Sequence, residues 1–213
     1  MKNILLISSG LSPQVITESL YFFNQKKSLH IDEIHVITDS TGSILIEQNL
    51  FSGPKWYNQY LKDYNIDKSS IKFKMANIHS LKDENGNPLK DLLTLTANTS
   101  AVNQIFKIVE KLTKDENNRL ITNVAGGRKT MSVIIGQAMQ FFGREADLLT
   151  HVIIDEKFLR LPDFYYPSPN KMIKDINGEK IDYSKINIYL HELPFIRLRP
   201  ILGKLLKVTT KTS

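Results

Sequence analysis

The residues best suited to chemistry lie in one run, Asn123-Val124-Ala125-Gly126-Gly127-Arg128-Lys129-Thr130-Met131-Ser132, between an apolar strand pattern and an apolar helical pattern. Two glycines permit a tight turn and close backbone approach to a ligand. Arg128, Lys129 and Thr130 add two cations and a hydroxyl at a helix N-terminus, where free N–H groups attract anions. The chemistry this points to is phosphate binding. A second loop, Ser8-Ser9-Gly10-Leu11-Ser12-Pro13-Gln14, offers hydroxyls ahead of a helix that Pro13 opens, and Asp39-Ser40-Thr41-Gly42 forms a third. Each group also has a plainer role. Gly126 and Gly127 suit any strand-to-helix turn, and Ser8, Ser9, Ser12, Thr130 and Asp39 are equally good helix-capping residues.

Familiar phosphate motifs fail. A P-loop requires G-x-x-x-x-G-K-[S/T], but Arg128 separates Gly127 from Lys129 and no glycine stands at the earlier position. The first loop has one glycine, Gly10, and so is no G-x-G-x-x-G; Asp39 at best mimics the acidic ribose ligand of a dinucleotide domain. The histidines at 30, 35, 79, 151 and 191 are scattered without an H-x-x-x-H pair, and cysteine is absent. No metal site, disulfide framework or cysteine nucleophile is therefore expected.

The elements that position these loops alternate. Residues 2–8, 33–38, 71–78, 119–124 and 148–154 read as strands. Helical patterns start at Pro13, run over 43–51, follow Pro54, begin at Asn98 or Thr99 as cap, and span 129–142. Five strands separated by helices imply an α/β, Rossmann-like, mostly parallel sheet with helices on both faces, ligands binding beyond the carboxyl ends of the strands. The loops after strands one, two and four should gather there, and residues 96–100 are candidates to join them. Beyond residue 160 the chain turns Pro- and Tyr-rich, with strand-like alternation at 186–193 and 195–198. The expected organisation is a Rossmann-like domain over 1–160 and a strand-rich C-terminal extension over 161–213, packed on the same domain. Phe164, Tyr165 and Tyr166 fit core packing better than base stacking, and Arg197 and Arg199, on one strand face, fit solvent or a dimer contact.

Length and composition agree with this. The chain has 213 residues, 41% of them hydrophobic, enough for one substantial core. No apolar stretch reaches membrane-spanning length, so a cytoplasmic protein without a membrane partner is expected. A net charge of +6 favours a polyanionic partner without naming it.

Taken together the motifs resemble the CRISPR-associated Rossmann-fold (CARF) proteins, in particular the stand-alone branch described as ring nucleases. The resemblance covers most of the chain and rests on five pieces in order. These are the opening strand with residues 8–15; Ala125 to Ser132; Phe142-Gly143-Arg144 with His151-Val152; Pro162-Asp163-Phe164-Tyr165-Tyr166-Pro167; and Glu192 to Arg199. The resemblance implies a cyclic oligoadenylate ligand, cyclic tetra-adenylate foremost, no cofactor or metal, no DNA partner, and a homodimer whose twofold axis passes through the ring. It also implies cleavage in which a ribose 2'-hydroxyl attacks the adjacent phosphorus and leaves linear adenylates with 2',3'-cyclic phosphate ends. Lys129, Arg128 and Ser9 would then be catalytic. Ser8, Gly10, Ser12, Gln14, Asp39, Ser40, Thr41, Ala125, Gly126, Gly127, Thr130 and Met131 would bind the ring. Two other functions stay open: a non-catalytic sensor of the same ligand that regulates a separate effector, and a general RNA-binding or nucleotide-using Rossmann protein. An R-x-x-x-x-H ribonuclease motif is absent from the tail.

Overall fold

The computed structural model describes residues 1–158, 161, 163–169, 171–174 and 180–202. Pro162 of the fourth motif piece and the extension's residues 203–213 fall outside them. A six-stranded sheet runs β3-β2-β1-β4-β5-β8, from β1 (Lys2–Ser8), β2 (Glu33–Thr38), β3 (Ile78–Ser80), β4 (Asn118–Asn123), β5 (Leu148–Ile154) and β8 (Ile188–Glu192). The first five strands are parallel and β8 pairs antiparallel with β5, so the fold is the expected Rossmann-like α/β. A small hairpin of β6 (Met172–Lys174) and β7 (Lys180–Asp182) stands apart. No helix among the described residues is long and apolar enough to cross a membrane.

Alternation within β1 shows how the sheet is covered. Leu5 and Ile7 enter one apolar cluster with residues of α1 (Gln14–Tyr21), α2 (Ser40–Ile46) and α3 (Trp56–Asp63). Ile4 and Leu6 enter another with α4 (Leu95–Thr113) and α5 (Lys129–Phe142). A strand buried on both faces reads as a continuous apolar run, which is why β1 is Ile-Leu-Leu-Ile at its centre. Each of these side chains contributes roughly 1.5–3 kcal/mol by burial. The extension joins the first cluster through Phe164, Tyr165, Tyr166, Tyr183 and Ile186. Tyr165 stacks on Trp56, its carbonyl accepts from Thr17 Oγ1 at 2.6 Å, and Tyr166 donates to Asp63 at 3.0 Å.

Several expected boundaries shift. The third strand is only β3; Ile71 and Phe73 are buried, but this stretch makes a single bridge, Lys72 to Glu33, before a 3₁₀ turn at Met75–Asn77. α2 begins at Ser40 rather than 43, because Asp39 Oδ1 accepts from the Gly42 amide at 2.7 Å, and it ends in a wide π turn over Glu47–Ser52. Ser40 and Thr41 are thus helical, not loop. α4 starts at Leu95 because Thr94, extended in backbone, caps Ala97. Asn98, the expected cap, turns its amide back to the Leu92 and Thr94 carbonyls. Residues 195–198 form no strand, since their polar groups are engaged with the ends of other elements.

Candidate functional site

The order of strands reverses between β1 and β4, and there the crevice beyond the carboxyl ends opens. The loops following these strands touch. A β-carbon built on Gly10 would lie 3.0 Å from Gly127 Cα, and one on Gly126 would lie 2.6 Å from the Ser8 carbonyl oxygen and 3.2 Å from Ser9 Cα. No side chain fits at Gly126, so its backbone sits directly on that of the serine loop. Gly127 turns the chain with φ of +81°, in the left-handed region, and delivers it into α5. The loop after β2 arrives at the same place: a β-carbon on Gly42 would lie 2.9 Å from the Gly10 carbonyl oxygen.

α5 opens without a cap. Arg128, extended at φ −70° and ψ 143°, makes no side-chain bond to the helix, and Thr130 is exposed on the first turn. The leading amides of a helix have no intrahelical acceptor, so α5 presents bare N–H groups and the positive end of its dipole beside Gly126-Gly127. Lys129 is exposed and makes no ion pair or hydrogen bond with a described residue. Such a group of amides and an unengaged ammonium favours an anion.

The other expected residues divide. Ser9 is fully buried and its hydroxyl has no partner among the described residues, while its amide donates to the Ile37 carbonyl at 3.0 Å. Ser8 is buried and leans on the Asn123 carbonyl at 3.5 Å. Ser12 is exposed at the mouth of the crevice, and Gln14 reaches in, its Oε1 buried without a partner. Asp39 is engaged as the cap of α2. Met131 is fully buried, and a β-carbon on Gly127 would lie 3.2 Å from its Sδ, so its side chain is the floor under the loop rather than an open contact. Arg128 is paired with Asp91, whose carboxyl is held below the usual range by the Leu92 amide and by this guanidinium.

Asp91 was not legible in the sequence, and neither was the crevice beside the loops. That crevice, of about 310 Å³, lies between α1, Ala125-Gly126, β5 and the extension. Glu18 and His151 line it together with Phe158 and Phe164. Burial pushes the Glu18 carboxyl up to about 8. Burial and the neighbouring His191 lower His151, which keeps it neutral. Clefts of about 500 and 560 Å³ near Phe142 and Arg144 lie at the opposite edge of the sheet and hold none of the expected site residues.

Arg197 and Arg199 correct an expectation. Instead of facing solvent or a second protomer, Arg197 donates to the Arg144 and Asp147 carbonyls at 2.9 and 3.0 Å. Arg199 donates to the carbonyls of Thr113 and Phe142, the last residues of α4 and α5, and pairs with Glu116 at 2.7 Å.

No curated protein matches the chain. The family model described as CRISPR-associated protein NE0113 (Cas_NE0113) matches residues 12–213, from the serine loop through the extension, and the chain belongs to that CRISPR-associated family.

Proposed function

We propose that the protein binds cyclic oligoadenylate, cyclic tetra-adenylate foremost, and cleaves it to linear products, switching off a CRISPR signal. The observation that carries this reading is the uncapped N-terminus of α5, with Lys129 unengaged, set against the serine loop at the switch in strand order. In the reaction a ribose 2'-oxygen bonds to the adjacent phosphorus and the bond from phosphorus to the 5'-oxygen breaks. The 2'-hydroxyl proton leaves and the 5'-oxygen gains one, giving a 2',3'-cyclic phosphate and a 5'-hydroxyl. Lys129 and the α5 amides stabilise charge growing on the phosphate oxygens, while Ser9, wholly enclosed, supports the cradle from beneath.

A twofold-symmetric pair of chains would set two copies of this cradle against opposite linkages of the ring. Exposed apolar side chains support such a pairing: Leu11, Leu93, Leu95 and Val133 all belong to segments at or beside the same edge of the sheet. A non-catalytic sensor is the second reading, favoured by Asp91, which holds Arg128 away from a free phosphate. Incubation of purified protein with cyclic tetra- and hexa-adenylate in EDTA tests both. Linear products with cyclic phosphate ends are expected; tight binding without products leaves the sensor, and neither binding nor products overturns the proposal.

A further inference from the structure

Two polar side chains of α1 face the crevice without partners among the described residues. Gln14 and Glu18 stand four residues apart and so share one helix face. Gln14 Oε1 is buried and accepts no hydrogen bond, and Glu18 makes neither a hydrogen bond nor an ion pair with any described residue. Glu18 is half-buried, so of the two only Gln14 Oε1 is fully enclosed, and an unpaired buried acceptor facing a crevice calls for a donor from an occupant. The surrounding walls are flat and apolar: Phe158, Phe164 and Val152. The volume of about 310 Å³ falls at the small end of ordinary ligand pockets, roughly 300–1,000 Å³. Ala125 and Gly126 line its mouth, so it opens directly from the phosphate cradle.

We propose that this crevice receives an adenine base, with Gln14 accepting a hydrogen bond from the exocyclic amino group and Glu18 donating one to a ring nitrogen. This rests on the preceding reading of the ligand and identifies where one of its bases goes. The donor-acceptor pattern makes the choice. Gln14 Oε1 needs a donor, which the adenine amino group supplies beside a ring-nitrogen acceptor on the same edge of the base. An ionised Glu18 would set its lone pairs against those of the ring nitrogen; a neutral carboxyl presents the O–H that this nitrogen needs. Burial keeps Glu18 in that neutral form below about pH 8. His151, from β5, is the other titratable side chain lining the crevice, and it is already neutral there, with His191 of β8 behind it. A loss of binding as pH rises through 8 therefore reports Glu18.

Calorimetric titration of the full chain with cyclic tetra-adenylate at pH 7 and pH 9 tests this, with Glu18→Gln and Glu18→Ala. The glutamine keeps a donor and an acceptor, so near-wild-type affinity at pH 7 without loss at pH 9 is expected. Wild type should weaken roughly tenfold at pH 9, and Glu18→Ala should bind roughly 10- to 100-fold more weakly at pH 7. An alanine variant that binds like wild type, or pH dependence retained by the glutamine variant, overturns the inference. If wild type binds no cyclic oligoadenylate, the ligand reading itself falls. The base pocket is then judged by 5'-AMP against 5'-GMP: a preference for AMP that Glu18→Ala abolishes supports it, and equal or absent binding overturns it. Thermal unfolding of each variant separates lost binding from lost folding.

Discussion

At its N-terminus α5 carries Arg128 and Lys129 beside bare amides, whereas at its C-terminus Arg199 lies on the carbonyl oxygens of Phe142 and, from α4, Thr113. The same positive charge means opposite things at the two ends. A helix C-terminus has orphan carbonyls and the negative end of the dipole, so a guanidinium there completes the fold. A cation at the N-terminus opposes the dipole and is stabilised only by an anion from elsewhere. Asp91 supplies one to Arg128, and nothing described supplies one to Lys129. Around the C-terminal end, Arg144 is bound to the fully buried Asp147, and Arg197 to backbone carbonyls. One end of the helix is closed with polar contacts; at the other, Lys129 is left without a partner among the described residues.

The largest expected effect is at the closed end. Asp147, itself fully buried, accepts from the Leu120 amide at 2.7 Å and from the Arg144 amide and Nε at 2.8 and 2.9 Å. Asp147→Ala removes the carboxylate from a guanidinium and from two backbone amides, those of Leu120 and Arg144, and should lower unfolding free energy by about 3–5 kcal/mol in urea titrations. An unchanged midpoint would break the contrast from that side.

At the open end, Lys129→Ala should cut single-turnover cleavage on the order of 30- to 1000-fold while weakening ring binding less, and leave the melting temperature unchanged. Arg199→Ala should do the reverse: full cleavage, with stability lowered by about 1 kcal/mol. Equal cleavage by the two variants would show that the ends do not differ in this way.

The smallest effect lies across the sheet, at β2 and β3, where His35 Nδ1 meets His79 Nε2 at 2.9 Å and His35 Nε2 meets Glu33 at 2.9 Å. Burial, then His35 and Lys111, lower His79 to about 4. The unfolded chain therefore binds this proton first, and stability falls as pH drops from 6.5 toward 4. Burial opposes the charge of Glu33, but hydrogen bonds from Lys2 and Lys72, with His35 beside it, outweigh that and hold it at about 2. Its contribution is present above 4.5 and lost as pH falls toward 2. His79→Asn should remove about 1 kcal/mol of the loss between pH 7 and 5.5, measured by thermal melts across that range, and leave the lower step in place.

Much of this frame is legible in the sequence, because β1, β2, β5 and α5 are largely apolar runs, β2 and β5 flanked by aspartates, β1 followed by Ser9-Gly10 and α5 set between Gly127 and Gly143, and local chemistry sets those bounds. What is not legible depends on distant partners. The alternation at 195–198 suits a strand, but an extended segment shows the same period whether it pairs with a sheet or lies across helix ends. Asp91 and Arg128 are 37 positions apart, and only the fold joins them. Glu18 reads as an ordinary helix acid until β5 and the extension cover it. The glycines of the loop between β4 and α5, by contrast, are visible because their requirement is in the backbone itself.

The Arg128–Asp91 pair also bears on ionic strength. A cation that meets a phosphate from open solution gives up its counterions, and affinity then falls steeply as salt is added. Arg128 already carries a fixed counterion within the chain. A ring phosphate that displaces Asp91 exchanges one anion for another, so the salt dependence of ring binding should be shallower than the number of cations at the site implies, and Asp91→Asn should steepen it.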